Sequence, residues 1–270
     1  MKIGIFDSGI GGLSVLHEAY HMLKDTEYIF YADTDHVPYG SRTPDEIRHF
    51  SDDIVKFLIN ESCDAIIIAC NTATSCSAKF LRSKYSLPII GMEPAVKPAV
   101  ETNDSRRILV MATPVTLRET KLKKLIDRVD EDHIVDLLPM PQLVNFAENE
   151  TFDEDKVTEY LDKQFFNRSS KDYSSLVLGC THFNYFKPYY RKYFDETTSF
   201  IDGNRGTIHH IADVLNISLN DKEINVDFKD VDDMLLSGNT TYYFSGRKAS
   251  KEELEHILRL HKRLESVRNI

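Results

Sequence analysis

The chain has 270 residues, 41% of them hydrophobic, which is enough to bury one large or two modest cores. Its formal net charge of −10 argues against general binding to nucleic acid or to an anionic membrane surface. No apolar run of about 18 residues occurs, and the N-terminus leads into a predicted strand rather than a secretion signal, so we expect a cytoplasmic protein.

Short apolar runs alternate with helical patterns along most of the chain. This alternation predicts an α/β fold with mainly parallel sheets, and strands that are apolar on both faces predict helices on both sides of each sheet. In chain order, the predicted strands are 2–6, 28–31, 65–69, 87–91, 108–111, 134–138, 176–178, 200–201 and 240–244. The alternation weakens between about 216 and 246, where only the last of these strands is predicted.

The segment DSGIGG follows the first strand and contains Asp7, Ser8 and a glycine-rich turn. It departs from the GxGxxG pattern of dinucleotide-binding proteins. The glycines allow backbone N–H groups to approach a phosphate or a carboxylate closely, and both remain open.

The loop HVPYGSR follows the second strand and places Tyr39 and Gly40 at the expected ligand-facing edge. A simple Pro-Tyr-Gly turn is the alternative. Next along the chain, Thr43 with Glu46 predicts the start of a helix by the capping-box pattern, and Ser250 with Glu253 predicts another.

Two cysteines, Cys70 in IIIACNTAT and Cys180 in LVLGCTHF, stand where apolar strands stop. In a parallel sheet the carboxyl ends of strands face the ligand crevice, so the two segments predict facing half-sites. The N-terminus of a following helix would favour thiolate and lower each cysteine pKa. The polar neighbours of both cysteines argue against a purely structural role.

We expect Cys63 and Cys76 to fill the core, because free cysteine is among the most often buried residue types. Four unevenly spaced cysteines do not suggest a disulfide framework or a metal pair, so all four are expected to be thiols.

Together, FDSGIGGLSV, YADTDHVPYG, ACNTAT, LPIIGMEPA and GCTH closely resemble the glutamate racemases of the aspartate/glutamate racemase superfamily, over about residues 1–215. The resemblance implies a cofactor-independent isomerase that supplies D-glutamate for peptidoglycan and forms a homodimer. It also implies two similar α/β domains, 1–96 plus 207–270 and 97–206, with the active site in the cleft between them.

By position, Cys70 and Cys180 match the two catalytic thiols of that family, and Asp7 and His182 match the residues that assist them. Glu148 matches an acidic residue near the second thiol. The matched substrate-binding positions are Asp7, Ser8, Tyr39, Gly40, Asn71, Thr72, Thr116, Thr181 and His182. No metal ligand is assigned.

Racemisation needs one group to remove the α-proton and another to return a proton on the opposite face. We expect Cys70 to act on D-glutamate and Cys180 on L-glutamate, as the resemblance implies. The substrate carboxylates are expected to be held by backbone N–H groups and neutral side chains rather than by arginine.

Three alternatives stay open at this point. A related racemase could act on aspartate, and a non-enzymatic protein could bind an amino acid. A metal hydrolase could use Cys70, Cys180, His182 and Asp7 as ligands, although their spacing lacks a short-range metal motif.

Overall fold

A computed structural model describes residues 1–220, 224 and 226–270. The strands in this part of the chain are β1 (Lys2–Asp7), β2 (Glu27–Ala32), β3 (Ala65–Ile68), β4 (Ile89–Gly91), β5 (Arg107–Ala112), β6 (Val135–Pro139), β7 (Tyr173–Gly179), β8 (Ser199–Ile201), β9 (Thr240–Phe244) and β10 (Arg247–Lys248). The α-helices are α1 (Leu13–Met22), α2 (Pro44–Asn60), α3 (Asn71–Lys84), α4 (Val96–Glu101), α5 (Pro114–Arg118), α6 (Thr120–Val129), α7 (Pro141–Glu148), α8 (Glu154–Gln164), α9 (Lys187–Tyr190), α10 (Asn204–Leu215), α11 (Val231–Ser237) and α12 (Lys251–Val267).

The strands form two separate sheets. The first has the order β10-β9-β2-β1-β3-β4 and is parallel except for the β9–β10 pair, and the second has the order β6-β5-β7-β8 and is parallel throughout. Strands β1, β3 and β7 are almost wholly buried, as expected where helices cover both faces of a sheet. The predicted α/β fold with mainly parallel sheets is confirmed.

The first sheet takes its strands from residues 2–91 and 240–248, and the second from residues 107–201. The domain boundaries at 96/97 and 206/207 stay a prediction. Within the predicted 207–270 portion, residues 221–223 and 225 lie outside the described residues.

All nine predicted strands are present, with bounds that differ by up to three residues. Both capping boxes are also confirmed, because Thr43 Oγ1 accepts from the Glu46 backbone N–H and Ser250 Oγ from that of Glu253. Strand β10 was not predicted, since it is two residues long, exposed and paired only with β9.

Two short 3₁₀ helices bring the sheets together at their carboxyl edges. One, Ile10–Gly12, follows β1, and the other, Thr181–Phe186, follows β7. They contact each other, so the ends of β1, β3 and β7 converge on one place. In the described part of the chain, no helix combines the length and apolarity needed to cross a membrane.

Candidate active site

Cys70 caps the N-terminus of α3, two residues after the end of β3. Its Sγ accepts a hydrogen bond from the Ala73 N–H at 3.4 Å, and its S–H points to Ser8 Oγ at 3.7 Å. Burial raises the pKa of the Cys70 thiol, and the nearby charge of Asp7 raises it further. The predicted lowering of this pKa is therefore wrong, because a single N–H contact does not offset the loss of solvation.

Cys180 is buried and directly follows β7. The sequence predicted an ordinary helix here, but the next turn is the 3₁₀ helix, and its backbone N–H groups donate no hydrogen bond to the cysteine side chain. The polar neighbour of Cys180 Sγ is instead His182, whose Nδ1 lies 3.6 Å away. The two cysteines thus share a position at strand ends but differ in their hydrogen-bond partners.

His182 connects Cys180 to a carboxylate from another element. Its Nε2 lies 2.5 Å from Oε1 of Glu148, the last residue of α7, and the same oxygen accepts the Ile10 N–H at 2.9 Å. Burial lowers the pKa of His182, but hydrogen bonds and charge interactions with Cys180 and Glu148 outweigh it and hold this pKa well above its usual value. The protonated form of this buried ring is therefore favoured, and the ring lies between the sulfur of Cys180 and the carboxylate of Glu148.

Asp7 ties the two halves of the site together. Its Oδ1 accepts from the N–H and Oγ of Ser8, at 2.6 and 3.1 Å, and its Oδ2 accepts from Thr181 Oγ1 at 2.7 Å. Burial raises the pKa of Asp7, while the charge of His182 and the hydrogen bond from Thr181 oppose that rise. A chain of hydrogen bonds therefore runs from Cys70 through Ser8 to Asp7 and on to Thr181.

The turn after β1 needs glycine because its backbone packs closely against the side chains of Glu148 and His182. A Cβ at Gly9 would lie 1.9 Å from Oε1 of Glu148, and one at Gly11 would lie 2.3 Å from Nδ1 of His182. Any larger residue would displace the histidine or its carboxylate. The turn thus permits close approach of the backbone to the site.

Tyr39 and Gly40 also reach the site, as predicted. Tyr39 is buried, and its hydroxyl donates to Oδ2 of Asp33 at 2.5 Å. Gly40 packs against Thr113, which would lie 3.2 Å from an added Cβ. Sequence reasoning missed Asp33, which fixes the tyrosine ring from outside the cavity.

Three buried threonines form a ring of hydroxyls on the α3 side of the site. The Oγ1 atoms of Thr72, Thr113 and Thr116 lie 3.0–3.1 Å from one another. Thr113 also caps α5, where it accepts from the Thr116 N–H. Beside this ring, Oδ1 of Asn71 is buried and has no hydrogen-bond partner among the described residues.

These groups surround a nearly closed cavity whose free volume is only about 10 Å³, room for about one water molecule. Apart from Pro38 and Gly40, its lining residues are buried, so the cleft must open to admit a ligand. The residues that line it are Asp7, Ser8, Pro38, Tyr39, Gly40, Cys70, Asn71, Thr72, Thr113, Val144, Cys180, Thr181 and His182. This lining includes no lysine or arginine.

Ten of the twelve residues predicted for the site line this cavity. The other two stand behind it, Glu148 against His182 and Thr116 against Thr72. The prediction missed Pro38, Thr113 and Val144. A signal for Thr113 existed, because a threonine before proline at the end of a strand is a typical helix cap.

Residues 12–211 match the Asp/Glu/Hydantoin racemase family. The glutamate racemase of Lachnospira eligens is 50% identical over 273 residues, and the alignment covers all of both chains. A crystal structure of glutamate racemase from Campylobacter jejuni is 30% identical, covers 96% of this chain and 97% of its own, and superposes with a TM-score of 0.76. The Escherichia coli enzyme, solved with L-glutamate and the activator UDP-MurNAc-Ala, is 25% identical with a TM-score of 0.76, covering 92% of this chain and 99% of its own.

Proposed function

Because this chain belongs to the Asp/Glu/Hydantoin racemase family and is an isomerase, we propose that it interconverts L- and D-glutamate, with Cys70 and Cys180 as the two proton-transfer groups. The observation that carries this proposal is the shared cavity, since the two thiols come from separate sheets and line the same small space. Two acid/base groups from opposite walls are what inversion at one carbon requires.

In this proposal, the surroundings favour a protonated Cys70 and a deprotonated Cys180. The raised pKa of Cys70 keeps its proton on sulfur, while the imidazolium of His182 faces Cys180 and stabilises negative charge there. In the direction from L-glutamate, Cys180 as thiolate removes the α-proton, and the Cys70 thiol delivers a proton to the opposite face. In the reverse direction the two groups exchange roles.

The intermediate carries charge that spreads from the α-carbon into the carboxylate. Fixed hydrogen-bond donors lower the barrier to racemisation when their hydrogen bonds strengthen as this charge develops. A strong cationic group would instead also stabilise the carboxylate of the starting amino acid. The cavity lining supplies hydroxyl and amide groups and no arginine or lysine. Ser8, Asn71, Thr72 and Thr181, with backbone N–H groups, are the proposed carboxylate ligands.

Asp7 and His182 are proposed to assist proton transfer, Asp7 on the Cys70 side of the substrate and His182 on the Cys180 side. Asp7 lies on the Cys70 side through Ser8 and offers a carboxylate to the substrate ammonium. His182 lies on the Cys180 side, and Glu148 holds its charge and orientation. The substrate-binding roles of Tyr39, Gly40 and Thr116 belong to the same proposal.

On the family relationship, we also propose that the product D-glutamate is used for peptidoglycan, and that the chain works in the cytoplasm as a homodimer. Expression in a bacterial strain that requires external D-glutamate tests the cellular role. Growth without the supplement is expected from the wild-type chain and not from the Cys70→Ala variant.

The activity itself is tested by following the circular dichroism of L-glutamate and of D-glutamate with the purified chain. Both signals are expected to decay to zero, because the two enantiomers are equal in free energy. Aspartate in parallel assays decides the substrate: faster decay of aspartate than of glutamate would overturn the assignment. Binding without decay of either signal would overturn the catalytic proposal.

A further inference from the structure

A second cluster of titratable side chains lies where α1 packs against α12. His17 and His21 are one helical turn apart on α1, and Glu265 is on α12. The Nε2 atoms of both histidines lie 2.8 Å from the same oxygen, Oε2 of Glu265. None of these residues lines the cavity of the proposed active site.

The three side chains present a metal-ligating donor set. Their donor atoms all lie within 4.8 Å of one another, and within the described part of the chain this is the one group of three or more His, Cys, Asp or Glu side chains that could hold a metal ion. Two imidazole nitrogens and one carboxylate oxygen suit Zn²⁺ and its first-row neighbours rather than Mg²⁺ or Ca²⁺.

The next shell of residues can hold the required tautomer of His17. Its Nδ1 lies 3.0 Å from Nδ1 of the buried His261, whose Nε2 faces the Tyr242 hydroxyl at 3.5 Å. When His17 carries its proton on Nδ1, it donates to His261, and its Nε2 lone pair is free for a metal. A metal-bound histidine with its other nitrogen donating in this way is the usual arrangement.

Apart from Glu265, no described neighbour holds the second histidine, His21, in one tautomer. Nδ1 of His21 is buried and has no hydrogen-bond partner among the described residues. The proton can therefore sit on Nδ1, which leaves Nε2 directed at the shared centre. The two histidines thus converge on Glu265 through the same ring nitrogen.

The donor atoms of His17, His21 and Glu265 need to move only slightly to reach the spacing of ligands around a metal ion. Ligands on a tetrahedral Zn²⁺ lie about 3.3 Å apart for bonds of about 2.0–2.1 Å, so the groups must separate by roughly half an ångström. The Glu265 side chain is 28% exposed and can make this shift. His17 also lines an open cleft with Glu18 and Arg268, which gives an ion a path from solvent.

We propose that His17, His21 and Glu265 form a binding site for one first-row divalent cation, with Zn²⁺ as its best probe. Solvent completes the coordination from the cleft side. The ion links α1 to α12 and therefore stabilises the docking of the C-terminal helix. This site does not depend on the proposed racemase activity.

Isothermal titration of EDTA-treated protein with zinc chloride at neutral pH tests the proposal. One ion per chain is expected at this site, and His17→Gln, His21→Gln and Glu265→Gln are each expected to weaken binding at least about tenfold, since even outer-shell changes at metal sites cost that much. His49→Gln is the matched control, because His49 also faces a carboxylate one turn away, Asp53, but on an exposed helix surface. It should bind zinc as the wild type does.

The active-site thiols could also bind zinc, so a second variant separates the two sites. Cys70→Ser combined with Cys180→Ser is expected to keep one bound zinc ion. Cobalt(II) in this variant should give visible d–d bands without thiolate-to-cobalt charge transfer. If zinc binding disappears in the double serine variant but persists in Glu265→Gln, the proposal is wrong.

Thermal unfolding gives an independent readout. Zinc, but not magnesium, is expected to raise the Tm of the wild type, and this shift should vanish in Glu265→Gln. Glutamine at 265 can still accept hydrogen bonds from both histidines, so this variant is the one expected to fold if the histidine variants do not. A wild-type Tm that zinc leaves unchanged, together with no binding heat, would overturn the proposal.

Discussion

In the part of the chain that the structure describes, two clusters bring buried histidine side chains against a glutamate, and they differ in what faces the histidine from its other side. At the ends of the sheets, His182 lies 2.5 Å from Glu148 and faces Cys180 and the cavity. Between α1 and α12, His17 and His21 share Glu265 at 2.8 Å. The first cluster joins the two sheets, and the second joins two helices.

Burial lowers the histidine pKa in both clusters, but the net result has opposite signs. At His182, interactions with Cys180 and Glu148 outweigh burial, and the pKa rises well above its usual value. At His17, burial outweighs the hydrogen bond to Glu265, and the charge of His21 adds to the lowering. The pKa of His182 therefore rises where Glu148 and Cys180 flank its ring, whereas the pKa of His17 falls where it shares one carboxylate with a second histidine.

The largest expected effects follow removal of the thiols in the first cluster. Cys70→Ala and Cys180→Ala should each lower kcat/KM for racemisation by at least about 10²–10⁴-fold, because each removes a general acid/base. The fold should remain, as judged by circular dichroism. If either variant racemises glutamate at the wild-type rate, the two thiols are not both required.

Glu148→Gln should have the next largest effect, a fall in kcat/KM of roughly 10- to 100-fold, below the full acid/base contribution because it acts through His182. The fall should be equal in both directions, since the equilibrium constant is one. Because Glu148 raises the pKa of His182, its loss should also move the alkaline limb of the pH–rate profile to lower pH. Glu150→Gln, which removes the partner of Arg259 instead, should change neither.

The same variant gives a stability test with a definite sign. A histidine whose folded pKa is raised contributes stability below its unfolded pKa of about 6.5 and loses that contribution as pH rises through the folded pKa. The difference in unfolding free energy between wild type and Glu148→Gln should therefore be largest in mildly acidic solution and shrink in alkaline solution. Denaturant titrations across this range measure it, and a gap that grows with pH would contradict the assigned charge state.

The second cluster should respond in stability and not in catalysis. In metal-free protein, Glu265→Gln is expected to lower the free energy of unfolding by about 1–3 kcal/mol, because it weakens two hydrogen bonds to a charged group. Its kcat/KM should match the wild type, since Glu265 lies outside the cavity. A large loss of turnover with normal folding would remove the distinction between the clusters.

The smallest effects are expected at the two remaining thiols. Cys63 and Cys76 are buried among apolar side chains, and burial raises their pKa values, to about 12 and about 11. Replacement by alanine should cost on the order of 1 kcal/mol of stability through a small cavity and leave turnover unchanged. Equal kcat values for these variants and the wild type would check the assignment, whereas inactive but folded protein would contradict it.

The sequence was sufficient to predict the residues at strand ends. Asp7, Ser8, Cys70 and Cys180 each follow a clear apolar strand, and parallel sheets gather such positions at one edge. Local pattern also located both capping boxes, because their partners lie three residues apart.

What the sequence did not reveal depends on contacts between distant residues. The Ile10 N–H meets Glu148 across 138 positions, and His17 meets Glu265 across 248, so no local pattern pairs them. The pKa of Cys70 was mispredicted for a related reason, since burial is a property of the assembled fold.

Racemisation in deuterium oxide tests the two-thiol mechanism most directly. Starting from L-glutamate and stopping early, we expect D-glutamate that carries deuterium at the α-carbon and residual L-glutamate that keeps its protium, because the incoming proton comes from a different group than the one that removed the first. D-glutamate that retains the original α-protium would show that one group performs both transfers, and would contradict the account.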